Sequence, residues 1–177
     1  MEVLLRILET TVPALVVFAT IYVFLGMFFK KERDLRESEL RIKAAEVTVP
    51  VRLGAYERLS VLLDRIQLAK VFLRVSGESM RGNDLHIAMI IAVEQEFEHN
   101  VSQQIYVSHE LWEIISMAKN EAIGLISNHY KKVGGDNPTA QQFGQSLINS
   151  LNEEPQLAMH KAQEAIKKEI SVTMFKH

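Results

Sequence analysis

The chain has 177 residues, 20 Lys and Arg against 22 Asp and Glu, and a formal net charge of −2. It contains no cysteine, which excludes disulfides, thiolate metal sites and cysteine nucleophiles and suits a reducing compartment. The near-neutral balance lacks the basic footprint of a nucleic-acid binder, and the length allows one domain with a real core beside an anchor.

From Thr10 to Phe29 no side chain is charged. At about 1.5 Å per residue such a helix is about 30 Å long, the thickness of a bilayer's hydrocarbon core. Residues 1–29 therefore predict an N-terminal transmembrane anchor. A cleaved signal peptide fits less well: its apolar region runs about 7–15 residues behind a positive start. Here MEVLLRILE sets Glu2 and Glu9 against Arg6 alone, and Phe28-Phe29-Lys30-Lys31 offers no small-residue cleavage site. Pro13 is expected in the first turn of the span, where a missing N–H costs little. Lys30, Lys31, Arg33, Arg36, Arg41 and Lys43 follow the span, and this bias predicts an outward N-terminus and a cytoplasmic body.

Residues 30–49 read as a charged stalk helix, with Glu32→Arg36, Glu37→Arg41 and Glu39→Lys43 as four-apart pairs in the favourable order. Leu35, Ser38, Ile42, Ala45 and Val49 alternate steps of three and four, so the stalk is either a solvated helix or a self-association seam. Thr48-Val49-Pro50 is expected to interrupt it, because proline lacks a donor and disfavours helix at the preceding residue.

The body, 50–177, reads as all-α, a helical bundle of about five helices. Its first helix shows Leu53, Tyr56, Leu59, Leu63 and Ile66 as an apolar stripe. Val71-Phe72-Leu73 suits either a helical turn or an extended piece, and a loop is expected from Gly77 to Gly82. The next helix (LHIAMIIAV) is apolar around much of its circumference and so expected at the centre, but it ends in the polar EQEFEHN. SQQIYV is a connector. Ser108 is a good N-cap for a helix with Leu111, Ile115, Ala118, Ala122, Leu125 and Ile126 on one side. Gly134-Gly135 should stop that helix, and Asp136-Asn137-Pro138 should open another bearing Phe143 and Leu147. Pro155 is expected to open the last, striped by Leu157, Ala158, Ala162, Ala165, Ile166 and Ile170.

Catalytic patterns fail on inspection. Glu96-x-x-His99 has di-iron spacing, but no other histidine has an acid three residues before it, and such sites need two of these pairs. Gly77-x-x-x-x-Gly82 is followed by Asn83-Asp84 where a phosphate loop needs Lys and Ser or Thr. His109-Glu110 lacks a zinc protease's second histidine, since Glu113 occupies that position. No metal or other cofactor is expected. The densest polar segment is EFEHNVSQQIYVS. It is either a helix end satisfying its own backbone or a docking surface built from His99, Asn100, Gln103, Gln104 and Tyr106. A ligand or catalytic site near Glu96, His99 and Tyr106 is the weaker alternative.

RLGAYERLSVLLDRI together with EFEHNVSQQIYVS, behind a single N-terminal span, resembles an uncharacterised family of membrane-anchored proteins from Bacteroidota. The resemblance covers nearly the whole chain, including the helix from Leu111-Trp112 and its AKNE. That family has no assigned activity, so it supplies no functional residues; it implies a bacterial inner-membrane location. The expectation is a non-enzymatic, membrane-anchored interaction protein, an accessory subunit or scaffold. Its partners would be the bilayer and a protein in an inner-membrane complex or a second copy of itself, with no nucleic acid.

Overall fold

A computed structural model describes residues 1–133, 138–153 and 157–175, and these are helical apart from short connections. The elements are α1 (Glu2–Arg65), α2 (Leu68–Val75), α3 (Gly82–His99), a 3-10 helix (Val101–Tyr106), α4 (His109–Val133), α5 (Ala140–Glu153) and α6 (Leu157–Phe175). The chain divides into two compact units, Met1–Thr48 and Val49–His177. The expected Gly134-Gly135 stop, the Asp136-Asn137 cap and the Pro155 start lie outside the described residues.

In the first unit, the apolar run lies inside the one helix among the described residues that is long and apolar enough to cross a membrane. None of its apolar window is buried; Phe18, Tyr22, Phe24 and Met27 are all largely exposed. Pro13 is interior to α1 rather than in a first turn, because the helix already begins at Glu2. Beyond the run, Arg36 and Arg41 reach back to Glu32 and Glu37, each at 2.6 Å. Both pairs are exposed and solvent-screened, so they support the helix only weakly.

The expected break at Thr48-Val49-Pro50 does not occur: α1 runs through it to Arg65. Proline forfeits its ladder bond to the Glu46 carbonyl there, and the Thr48 hydroxyl back-bonds to the Ala44 carbonyl at 2.7 Å within the continuous helix. On the far side, the stripe from Tyr56 to Ile66 is fixed by packing, which outweighs local propensity.

The second unit has one core. Tyr56, Leu59, Leu62, Leu63 and Ile66 of the first segment meet Leu85, Met89 and Val93 of α3, with Leu111, Ile115 and Ile126 of α4. α3 touches α2, α4, α5 and the 3-10 helix, so its near-continuous apolar surface does mark a central element. Its outer face still exposes Ile87 and Ile91. Val71-Phe72-Leu73 is helical within α2, with Val71 and Phe72 turned inward. Phe143 and Leu147 fix α5; Met159, Ala162 and Ile166 fix α6, whereas Leu157 is exposed.

The start of α5 differs from the expected Pro138 opening. Thr139 is the cap: its hydroxyl accepts from Gln142 N at 3.3 Å, and Gln142 Oε1 accepts from Thr139 N at 3.0 Å. This reciprocal capping box satisfies two orphan donors. The same turn is tied to the start of α3, with Gly82 N donating to Pro138 O at 2.9 Å and Ala140 N to Met80 O at 3.0 Å. Thr139→Ala is expected to cost about 1 kcal/mol, measurable as a lowered midpoint in thermal unfolding.

Where α3, α4 and α5 meet, His86 stacks on Tyr130 at 4.3 Å and Tyr130 meets Phe143 edge-on at 5.8 Å. Both ring nitrogens of His86 are shut from solvent and, among the described residues, have no hydrogen-bond partner. Burial holds its imidazole below the ordinary value, and burial plus the charge of Lys132 does the same for His129. The folded state therefore binds fewer protons than the unfolded chain. The stability these rings confer is present above the unfolded value of about 6.5 and is lost as pH falls below it. Thermal unfolding at pH 5.5 should show a lower midpoint than at pH 7.5, and His86→Phe should narrow the gap.

Candidate functional site

The polar end of α3 is held by ion pairs. Glu94 receives Lys119 Nζ at 3.1 Å, and Glu96 faces Arg65 at 3.0 Å and Arg74 at 3.7 Å. The apolar part of this junction is filled by Phe97, which packs on Trp112 at 5.1 Å between ring centroids. Glu96 is thus committed to two arginines, and among the described residues no three metal-ligating side chains converge.

Asn100 ends α3. Its side-chain amide donates to the Glu96 carbonyl at 2.8 Å, and its own carbonyl accepts from Gln103 N at 2.9 Å, starting the 3-10 helix. Asn100 and Gln103 are both buried. They satisfy backbone and neighbouring groups, Gln103 donating to the Ser102 hydroxyl at 3.1 Å. His99, Gln104 and Tyr106 stand at the surface, joined by Val101 and by Ile105, which is 72 % exposed.

Beneath this surface lies a cluster that the sequence pattern did not point to. Glu169 on α6 accepts from Tyr56 Oη at 3.0 Å and Ser108 N at 2.9 Å, and also from the Ser108 hydroxyl. Arg52 stands 3.5 Å from the same carboxylate, while its Nε donates to Tyr106 O at 3.0 Å. Ser108 in turn caps α4 as expected, its hydroxyl accepting from Leu111 N at 3.1 Å. Burial pushes the Tyr56 phenol above its ordinary range, with the Glu169 carboxylate adding to the rise. Glu169 reads in sequence as one more acid in a charged helix (KKEIS). Its partners lie 61 and 113 residues away, and no local signal announces them.

Two grooves flank the last turns of α1. One, of about 380 Å³, runs between α1 and the end of α3, where Gly54, Arg58 and Arg65 face Glu96 and His99. The other, of about 480 Å³, lies between α1 and α6, with Leu53 and Val61 facing Ile166 and Ile170. The ridge between them carries Glu57 and Val61, and a Cβ at Gly54 would meet nothing within 4 Å. Glu96 and His99 share the first groove, and Tyr106 is not in its lining. In the stalk, Leu35 and Ile42 are exposed and Ala45 and Val49 half-buried.

Comparison with curated proteins and with solved structures found no match. A family match does extend from residue 2 to residue 173, nearly the whole chain. By that match, the protein belongs to the family of unknown function DUF7935.

Proposed function

We propose that this protein is a non-enzymatic, membrane-anchored interaction protein, an accessory subunit or scaffold on the cytoplasmic face of a bacterial inner membrane. The observation that carries the reading is the uncovered apolar run of α1. Side chains such as Phe18, Phe24 and Met27 are largely exposed. A contiguous apolar surface of this kind needs lipid or another protein over it. The Lys and Arg excess after the run supports an outward N-terminus, and the resemblance to membrane-anchored Bacteroidota proteins supports the compartment. Docking falls to the exposed His99, Gln104, Ile105 and Tyr106, set on a rigid polar cluster. Tagged protein solubilised from its native membrane in mild detergent should retain a partner at fixed stoichiometry. Recovery as a lone monomer would contradict the reading.

Exposure of Leu35 and Ile42 on the stalk favours a second reading, a homo-oligomeric scaffold joined through that seam. Ile42→Asp should then dissociate the assembly; an oligomer of unchanged size would end this alternative.

A further inference from the structure

Several cations of the helical body face carboxylates: Arg52 meets Glu169, Arg65 meets Glu96, Lys70 meets Asp64 and Lys119 meets Glu94. The groove between α4 and α5 gathers cations in a concavity without such a pairing among the described residues. It encloses about 380 Å³ and sets His129, Lys131, Lys132 and Ser150 between apolar walls formed by Leu125 and Leu147. Among the described residues no acid lines it and neither lysine has an ion-pair partner.

Helical spacing places these groups together. Leu125, His129 and Lys132 recur at steps of four and three along one side of α4, and Leu147 and Ser150 lie three apart on α5. His129 Nε2 lies 3.1 Å from the Ser146 hydroxyl, which fixes the ring at the groove. Burial and the neighbouring Lys132 charge hold the imidazole below its ordinary value. Lysines in a helix's last turn also complement its dipole. That accounts for their place in α4 but not for a concavity with two cations, three further polar side chains (Asn128, His129 and Ser150) and, among the described residues, no acid.

The geometry points to a binding groove for a small phosphate-bearing anion. Lys131 and Lys132 meet its charge as mobile point charges, while the His129 ring and the Ser150 hydroxyl donate to its oxygens. Ser150 now donates to the Leu147 carbonyl at 2.7 Å and is released to the ligand by rotation about a single bond. The half-buried Leu125 contacts the organic part. The phosphate comes either from a soluble compound or from an anionic lipid head group, two sources of one chemistry.

The test uses the full chain in phosphatidylcholine vesicles, with the His129 ring titrated by NMR and inorganic pyrophosphate added at low salt. Bound pyrophosphate should raise the pH at which His129 titrates, and added salt should reverse the rise. Replacing both lysines (Lys131→Glu, Lys132→Glu) should weaken binding about tenfold or more, with Trp112 fluorescence reporting that the fold persists. Lys161→Glu, an exposed lysine on α6, should leave binding unchanged. A rise on moving to vesicles of anionic lipid, without pyrophosphate, assigns the groove to head groups; a rise with pyrophosphate alone assigns it to a soluble phosphate. Unaltered titration under both conditions overturns the proposal, as does a loss with Lys161→Glu equal to that of the lysine pair.

Discussion

Glu169→Ala is expected to destabilise the helical body by about 2–4 kcal/mol, the largest effect of any polar substitution here. The carboxylate is 15 % exposed and joins three elements: Arg52 and Tyr56 of α1, Ser108 at the head of α4, and its own helix α6. Its removal takes the anionic partner from Arg52, one acceptor from the Tyr56 phenol and the acceptor of the Ser108 N–H, all partly shut from water. Leaving buried donors unpaired costs more than forming the bonds gains. Glu169→Gln keeps an acceptor for Tyr56 or Ser108 but loses the charge facing Arg52, so its loss should be smaller. The single tryptophan, Trp112, packs against Phe97 one turn into α4 and reports unfolding by fluorescence. Equal stability of Glu169→Ala and the parent chain would mean that this cluster does not hold α6 in place.

Gly144→Ala should cost about 1–3 kcal/mol, although alanine is the better helix former. A Cβ at this position would lie 2.0 Å from Cε2 of Phe72 and 2.4 Å from Cδ2. Phe72 is a core residue of α2, so its ring cannot simply turn into solvent. Helix α5 is thus seated on α2 by the absence of a side chain. The clash predicts a specific rescue: Phe72→Leu removes the ring edge, so the double variant should lose less than the sum of the two single losses. Additive losses would show that the damage lies elsewhere.

The sequence disclosed most of this fold because the body is built from amphipathic helices, whose buried faces recur every three to four residues. The stripes through Leu59 and Leu63, through Ile115 and Ala122, and through Phe143 and Leu147 all enter the core. Its failures lie where tertiary packing overrides a local rule. Pro50 is a sound helix breaker by itself, yet the flanking turns are stable enough to carry α1 through it. Thr139 and Gln142 form a capping box, but the adjacent Asp136-Asn137-Pro138 gave a stronger local signal for the start.

The polar segment after Glu94 was legible as a special region but not in its detail. Asn100 and Gln103 look equivalent to His99 and Gln104 in sequence, and only the turn from α3 into the 3-10 helix decides which pair is buried. Glu169 and Gly144 carry no signal at all in a single sequence. Both matter through contacts with distant elements, and periodicity cannot report such contacts.

The most direct test of the account is alkaline carbonate extraction of native membranes containing the full chain. A helix with about 20 apolar residues in the bilayer core resists both high salt and carbonate, which strip proteins bound only through surface charge or partners. Retention of the chain in the membrane pellet after both washes is the predicted result. Release into the carbonate supernatant would contradict the anchor, and with it the proposal that this helical body works at a membrane face.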